Sequence, residues 1–358
     1  MDKESINETP DYWKNFYPHE SFVRFLQTVL GNLDGGTRSV WLAASYGTGK
    51  SHAVLVLQKL LTDDSTRVKE WLEEYKKLIP ESVRATLWSL REQKPLVIYD
   101  SIADGIKRPE QFLVRLQQSI IAALKERDGS IPVVGQLAEV LEKIRKVETL
   151  FFDTRDGMQE DLIHLSADIK TVNELEKRLS NDALVSGLVN DIMLVCERMN
   201  YYPKISVDSF RNWVSDILKT NNIPKILYIW DEFSTYVDQN SNQLTTFQEV
   251  ANMAQQGQFY LLPVTHMHLE SYLAAGSESA RKINGRFDFC SLDMPTHTAL
   301  VLAGQALKVQ PGQEGDWERE RKALWKRVKP IVTDYLAEID EECKSNQDAL
   351  KESCLFTR

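Results

Sequence analysis

The chain has 358 residues, a net charge of −9, and hydrophobic and charged contents of 42% and 27%, which is typical of a globular protein of one to three domains. The acidic balance argues against a generic, sequence-independent grip on nucleic acid, because neutralising phosphates requires clustered Lys and Arg. No apolar run approaches the roughly 18 residues of a membrane span, so we expect no membrane contact.

The first predicted element is a helix over residues 20–30, where apolar side chains recur every three or four positions. A short apolar strand, Val40 to Ala43, comes next and runs into a Gly-rich turn. The turn closes with Gly49-Lys50-Ser51, and an apolar helix follows from His52 to about Leu61. This succession of strand, Gly-rich turn and helix is the layout of a phosphate-binding P-loop.

The chemistry of such a loop is specific. Glycines let several backbone N–H groups point at one anion, and the following helix directs its partial positive end to the same place. Lys50 would bind the β- and γ-phosphates of ATP, and Ser51 would offer a hydroxyl to Mg²⁺. The pattern G-x-x-x-x-G-K-[ST] is broken at Ala44, where glycine is expected, and a surface turn without a ligand is the alternative. The predicted nucleotide-binding residues of the loop are Tyr46, Gly47, Thr48, Gly49, Lys50, Ser51 and His52.

The turn before the first helix, Tyr17-Pro18-His19, is a candidate contact for the adenine ring. A helix that feeds the first strand of a nucleotide-binding sheet often leaves its preceding turn over the base. We therefore add Tyr17 to the candidate nucleotide-binding residues. Ordinary packing of these side chains in the core and in a loop is the alternative.

A second buried strand, Leu96 to Tyr99, ends at Asp100-Ser101. Residues 105–222 then carry one helical apolar stripe after another with few Gly or Pro breaks, which predicts a large helical insertion between the second and third strands. Because such stripes are far more often packing surfaces than chemistry, we assign no site there.

The third strand, Lys225 to Trp230, is continuously apolar, as in a parallel sheet that is covered on both faces. It ends in Asp231-Glu232, which with the preceding apolar run is the Walker B pattern. Asp231 is placed to hold Mg²⁺, and Glu232 is placed to accept a proton from the attacking water. An acidic strand end without chemistry is the alternative.

The fourth predicted strand, Phe259 to Val264, contains Pro263, which suggests a bulge or a late strand end. Thr265 follows it, next to the expected position of the Asp231 strand. The Thr265 side chain could touch the γ-phosphate or position the water, and His266 is the alternative at the same spot.

Arg286 precedes a fifth strand, Phe287 to Leu292. An arginine there could reach a neighbouring subunit's nucleotide and stabilise transition-state charge. Arg281 is the competing candidate, and a solvated surface arginine is the alternative to both. Residues 296–307 and 317–345 are predicted to be helical.

These elements predict an α/β fold: a parallel five-stranded sheet of the P-loop NTPase type, with flanking helices and a large helical insertion. The expected divisions are an ATPase core in two parts, 1–104 and 223–295, the insertion 105–222 between them, and a helical lid that begins at 296–358. The final KESCLFTR has no tail-like composition, and we expect the chain to be the N-terminal part of a longer protein. The cysteines lack C-x-x-C spacing, which predicts reduced thiols and no cysteine metal site: Cys196, Cys290, Cys343 and Cys354.

The order of these parts resembles the AAA+ and STAND division of P-loop ATPases, over residues 20–295. More narrowly, SYGTGKSH and the WDEF strand end resemble the very large ATPases of bacterial anti-phage islands, such as the BREX ATPase family. That resemblance implies a cytoplasmic ATPase that forms homo-oligomers and acts with other defence-system proteins on DNA, through partners or a missing C-terminal region.

The sequence therefore predicts an ATPase whose cofactors are ATP and Mg²⁺ and whose turnover drives a conformational change in a larger machine. A nucleotide-dependent switch or scaffold with little turnover is the second hypothesis. A motor acting directly on DNA is the third, and the acidic balance and the lack of helicase motifs count against it.

Overall fold

The computed structural model describes residues 11–292, except 46, 102–105, 107, 129–135, 182–184, 202–205, 241–243 and 274–276, together with scattered positions between 312 and 330. The chain divides into two compact units. One consists of Met1–Phe16 and Arg24–Ser291 and the other of Tyr17–Val23 and Leu292–Arg358. The predicted helix 296–307 lies outside the described residues.

The first unit is built on a five-stranded sheet in which every pairing is parallel, with the strand order β2-β3-β4-β1-β5. The strands are β1 (Ser39–Ala43), β2 (Leu96–Asp100), β3 (Ile226–Trp230), β4 (Phe259–Thr265) and β5 (Phe287–Ser291). All residues of β1, β3 and β4 are buried, as expected for a parallel sheet that is covered on both faces. The predicted α/β class and five-stranded parallel sheet are confirmed.

The helices of the described part lie before, between and after these strands. They are α1 (Glu20–Leu33), α2 (Lys50–Thr62), α3 (Ser65–Glu74), α4 (Glu81–Gln93), α5 (Pro109–Asp128), α6 (Gln136–Lys146), α7 (Glu148–Asp156), α8 (Val172–Asn181), α9 (Val185–Arg198), α10 (Val207–Thr220), α11 (Ser234–Asn240), α12 (Thr245–Ala251) and α13 (Glu278–Asn284). The helical segment between β2 and β3, α5 to α10, belongs to the same compact unit as the sheet. None of the helices described is long and apolar enough to cross a bilayer.

Pro263 lies inside β4 without an interruption of the strand. On the β3 side the pairing is one-to-one from Ile226 with Phe259 to Trp230 with Pro263, so the expected bulge is wrong. The alternative, that Pro263 marks a late position in the strand, agrees with β4 ending at Thr265. Proline has no N–H to donate, which restricts it to positions where a sheet hydrogen bond is not needed. On the other side of β4 lies β1, where the pairing covers only Leu42 with Val264 and Ala43 with Thr265.

Trp41 of β1 lies at the centre of the core that covers the sheet on one side. Its indole makes edge-on contacts with Phe233, Phe247 and Phe287 at centroid distances of 5.9, 5.9 and 5.5 Å. Aromatic pairs of this kind contribute about 0.5–1.5 kcal/mol each beyond area burial. The cluster therefore fixes the turn after β3, helix α12 and the start of β5 against β1.

In the second unit, the described residues include the start of α1. His19 is buried, its Nδ1 atom accepts the Phe22 N–H at 3.4 Å, and its carbonyl accepts the Val23 N–H at 3.0 Å. His19 thus caps the first turn of α1. Burial lowers the pKa of His19 to about 4.

Candidate functional site

The turn between β1 and α2 is a Gly-rich loop at the carboxyl edge of the sheet. Gly47 and Gly49 have φ angles of 78° and 83°, in the left-handed region that favours glycine. The first intrahelical bond of α2 runs from the Ala53 N–H to the Gly49 carbonyl at 2.8 Å, so the first-turn N–H groups point towards the loop. An anion at this position would meet backbone donors and the positive end of the helix. Tyr46 lies outside the described residues.

The Lys50 side chain folds back over this loop and is buried. Its ammonium donates to the carbonyls of Ala44 and Ser45, both at 2.8 Å. The Thr48 hydroxyl donates to the same Ser45 carbonyl at 2.9 Å. The positive charge of Lys50 therefore lies against the backbone of the loop. A bound phosphate group there would take the place of the Ala44 and Ser45 carbonyls as the partner of the ammonium.

Ser51 and His52 form the first turn of α2 together with Lys50, and both are half-buried. The His52 ring stacks on Tyr12 at 4.6 Å and meets Phe16 edge-on at 5.0 Å. Burial lowers the pKa of His52. This aromatic contact places the 3₁₀ turn Tyr12–Asn15 across the start of α2. Tyr17 is half-buried and belongs to the second compact unit.

Asp231 and Glu232 follow β3 at the same edge of the sheet. The pairing of Trp230 with Pro263, and of Ala43 with Thr265, brings the ends of β1, β4 and β3 level with one another. Only β4 separates β1 from β3, which corresponds to about 10 Å at the usual strand spacing. The cationic loop and the acidic pair, distant in sequence, therefore leave the sheet at the same edge, with the end of β4 between them.

The Asp231 carboxylate is buried and anchored on both oxygens. Its Oδ2 accepts the Tyr99 hydroxyl at 2.8 Å, and its Oδ1 accepts the Glu232 N–H at 3.0 Å. A buried carboxylate needs hydrogen-bond donors to offset the loss of water. The two bonds supply these donors, and they fix the side chain at the end of the strand.

Glu232 has a left-handed backbone, with φ at 57°. For a residue with a β-carbon this conformation costs about 1–2 kcal/mol. It turns the chain sharply, so that the Phe233 N–H returns to the Val264 carbonyl of β4 at 3.0 Å. The Glu232 side chain is half exposed, and its Oε2 lies 2.7 Å from Nε2 of His266.

The Thr265 hydroxyl is fully buried and engaged on both sides. It accepts the Trp41 indole N–H at 2.9 Å and donates to the Met267 carbonyl at 2.8 Å. β4 does lie beside the Asp231 strand, as the sequence predicts. Of the two side chains considered at this strand end, His266 is the one in contact with Glu232.

Arg286 lies at the opposite edge of the sheet from the loop. Its carbonyl accepts the Ser39 N–H at the start of β1, and its guanidinium donates to the Lys282 carbonyl at 2.7 Å. Arg281 is exposed on α13. The structure therefore places Arg286 away from the loop of its own chain.

The polar groups at the carboxyl edge suit a metal ion that is coordinated mainly by a bound nucleotide and by water, with few protein ligands. Among the described residues, no group of three or more His, Cys, Asp or Glu side chains forms a metal cage. The oxygen donors at this edge include the Ser51 hydroxyl at the start of α2 and the Asp231 carboxylate after β3. Mg²⁺ commonly takes one or two protein oxygens and completes its shell with phosphates and water. The residues present therefore fit Mg²⁺ bound together with a nucleotide.

Two features of the site do not follow from the sequence pattern. The pattern identifies Tyr99 only as the last residue of a predicted strand. The signal that could have identified it is its place directly before Asp100, because polar residues at the end of a buried strand often belong to a site. It marks Trp41 as a core residue, and nothing in the sequence around Trp41 indicates its bond to Thr265.

No known protein-family model matches this chain, and no solved structure matches it.

Proposed function

We propose that this chain is an ATP-binding and ATP-hydrolysing module of a larger machine. The observation that carries the proposal is the juxtaposition of the Gly-rich loop with the Asp231-Glu232 pair at one edge of a parallel sheet, one strand apart. Ligands of open parallel sheets bind at the carboxyl ends of the strands. A triphosphate needs cationic and N–H donors on one side and a metal-holding carboxylate on the other.

The roles follow from the positions. The N–H groups of Gly47, Gly49 and the first turn of α2 would bind phosphate oxygens, with Lys50 on the β- and γ-phosphates. Ser51 and Asp231 would hold Mg²⁺, which supplies neutralisation of the phosphate charge when bound. His52 lies beside Tyr12 and Phe16, next to the loop, where an aromatic surface suits a nucleobase.

Glu232 is the candidate base. Its carboxylate is half exposed and would accept a proton from the water that attacks the γ-phosphate, giving ADP and phosphate. Its left-handed backbone supports this role, since strained residues in folded proteins cluster at functional sites.

The first test is nucleotide binding. We expect the Lys50→Ala protein to lose binding of a fluorescent ATP analogue, because the loop loses its charged donor. Lys59→Ala, in the last turn of the same helix, is the matched control and should bind like the wild type. Equal binding by the Lys50→Ala protein and the wild type would remove the loop from the site.

The second test is turnover. The Glu232→Gln protein should bind ATP and hydrolyse it at least about 100-fold more slowly, which is the usual contribution of a general base. Glu249→Gln changes an exposed glutamate on α12 and serves as the control. Normal hydrolysis by the Glu232→Gln protein would remove the base assignment.

A switch with little turnover is the second candidate. It is favoured by the contact between Glu232 and His266, because this contact engages the candidate base with a neighbouring side chain. Steady-state ATP hydrolysis, measured with and without DNA, separates the switch from the ATPase. A DNA-stimulated rate would favour the DNA-translocating motor.

The proposed assembly is a homo-oligomer in which Arg286 reaches the nucleotide of a neighbouring subunit. Its position at the sheet edge opposite its own loop suits action on a neighbour. The resemblance of SYGTGKSH and WDEF to the anti-phage ATPases supports a role in defence alongside other proteins, with DNA reached through them. Loss of oligomer-dependent turnover in the Arg286→Ala protein, but not in Arg281→Ala, is the expected result.

A further inference from the structure

The carboxyl end of β2 carries a buried ion pair beside the candidate site. The Arg115 guanidinium, on α5, donates to both oxygens of Asp100, with Nη2 to Oδ1 at 2.6 Å and Nε to Oδ2 at 2.7 Å. The hydroxyls of Tyr228 and Ser119 donate to the same Oδ2 at 2.7 and 2.8 Å. Asp100 is thus held by donors from β3 and from α5 as well as by its own strand.

The same strand end holds Asp231. The Asp100 carbonyl accepts the Asp231 N–H at 2.7 Å, and the Tyr99 hydroxyl donates to Asp231 Oδ2 at 2.8 Å. Two consecutive residues of β2 therefore fix both the backbone and the carboxylate of Asp231.

Helix α5 contacts this arrangement at a second point. Phe112, one turn before Arg115, stacks on Trp230 at 5.5 Å with the rings 8° from parallel. Trp230 directly precedes Asp231 and pairs with Asp100 across the sheet. A shift of α5 would therefore move Trp230, which precedes Asp231 in the chain, and Asp100, whose carbonyl accepts the Asp231 N–H.

The ion pair between Arg115 and Asp100 serves to fix the arrangement of these side chains and adds little to the free energy of unfolding. Burial by itself raises the pKa of Asp100, but the bonds and charge of Arg115, with Tyr228 and Ser119, bring it below the ordinary value. Buried ion pairs contribute little net stability when compared with apolar replacements, and their best-attested use is to fix one arrangement. A bidentate Arg–carboxylate pair fixes orientation as well as distance.

We propose that Tyr99 and Asp100 are positioning residues for the Asp231 carboxylate, and that Arg115 couples its position to helix α5. The proposal rests on the proposed function, in which Asp231 holds Mg²⁺.

The experiment measures the affinity of a fluorescent ATP analogue over a range of Mg²⁺ concentrations, and in EDTA. Tyr99→Phe removes one hydroxyl and should raise the half-saturating Mg²⁺ concentration about tenfold or more, as losses of outer-shell partners do. Binding in EDTA should be unchanged. Tyr260→Phe removes a hydroxyl bonded to the Gly36 carbonyl, remote from Asp231, and should match the wild type.

A second pair of variants tests the coupling. Arg115→Lys keeps the charge and loses the bidentate geometry, so its Mg²⁺ dependence should shift in the same direction. Arg127→Lys, on the same helix and bonded to the Lys94 carbonyl, is the control.

The two proposals fail in different ways. Wild-type Mg²⁺ dependence in both the Tyr99→Phe and Arg115→Lys proteins overturns the positioning role and leaves the ATPase proposal intact. A shift in Tyr99→Phe alone overturns the coupling to α5. If the unmutated protein binds no ATP analogue in either condition, the proposed function itself fails.

Discussion

The imidazole of His266 and the carboxylate of Glu232 lie 2.7 Å apart, and this contact joins the ends of two neighbouring strands, β4 and β3. Glu232 reaches it from a left-handed backbone conformation, with half of its side chain exposed. The backbone of His266 is itself held, because its N–H donates to the Ser234 hydroxyl at 2.9 Å. The imidazole therefore gives a half-exposed carboxylate a fixed neighbour.

Replacing His266 with asparagine tests whether this neighbour orients Glu232, the proposed base. We expect kcat for ATP hydrolysis to fall about tenfold, with little change in ATP affinity, since a misplaced catalytic group costs rate rather than binding. His268→Asn, two positions on and exposed, is the control. An unchanged kcat would contradict the orienting role, and a higher kcat would favour the switch, with His266 restraining Glu232.

Replacing Gly49 with alanine tests the loop conformation. An added β-carbon has open space, so the cost comes only from the φ of 83° and should be about 1–2 kcal/mol, with weaker ATP binding. Gly31→Ala also adds a β-carbon in open space, but within helix α1, where alanine should stabilise by about 0.5–1 kcal/mol. Denaturant unfolding and ATP titration measure both. Equal effects of the two substitutions would argue against a special loop backbone.

The Thr265→Val protein should lose about 1–3 kcal/mol of unfolding free energy, because the buried Trp41 indole N–H is left without its acceptor. Thr265→Ser keeps the hydroxyl and should lose less. Chemical denaturation followed by tryptophan fluorescence measures the difference. If Thr265→Val instead unfolds like the wild type but hydrolyses ATP poorly, then the hydroxyl acts on the phosphate, as its place at the end of the fourth strand predicts, and not on the core.

Stability should fall on acidification because of His19. Its folded pKa of about 4 lies below the ordinary value, so the folded state binds fewer protons than the unfolded chain. The contribution is complete above about pH 6.5 and is lost as the pH falls towards 4, at no more than about 1.4 kcal/mol per pH unit. His19→Asn keeps an acceptor for the Phe22 N–H and should flatten unfolding free energies measured at pH 7, 6 and 5. An unchanged slope would show that other groups carry the acid sensitivity.

Local pattern was sufficient for most of the fold. The apolar runs predicted the five strands within a residue or two at each end, because strand burial and turn residues are recorded along the chain. Pro263 shows the limit of this reasoning. Considered alone, a proline predicts an irregularity in the strand. Whether its missing N–H leaves a sheet hydrogen bond unmade depends on which neighbouring strand lies opposite that position.

The candidate site divides in the same way. Spacing alone predicts Lys50, Ser51, Asp231 and Glu232 as candidate site residues, since a Gly-rich turn after a strand and an acidic strand end are short-range patterns. Thr265 and His266 could not be separated, because their roles depend on which side chain turns towards Trp41 and which towards Glu232.

By itself, the sequence determined that a parallel α/β sheet would form and that one Gly-rich turn and one acidic pair would end two of its strands. The tertiary structure alone decided the strand order that leaves only β4 between these two ends, the His266–Glu232 contact, and the hydrogen bonds from Tyr99 and Asp100 that hold Asp231. The physical reason is range. Periodicity and turn chemistry act over a few residues, whereas strand order and side-chain partners are fixed by packing between segments far apart in the chain.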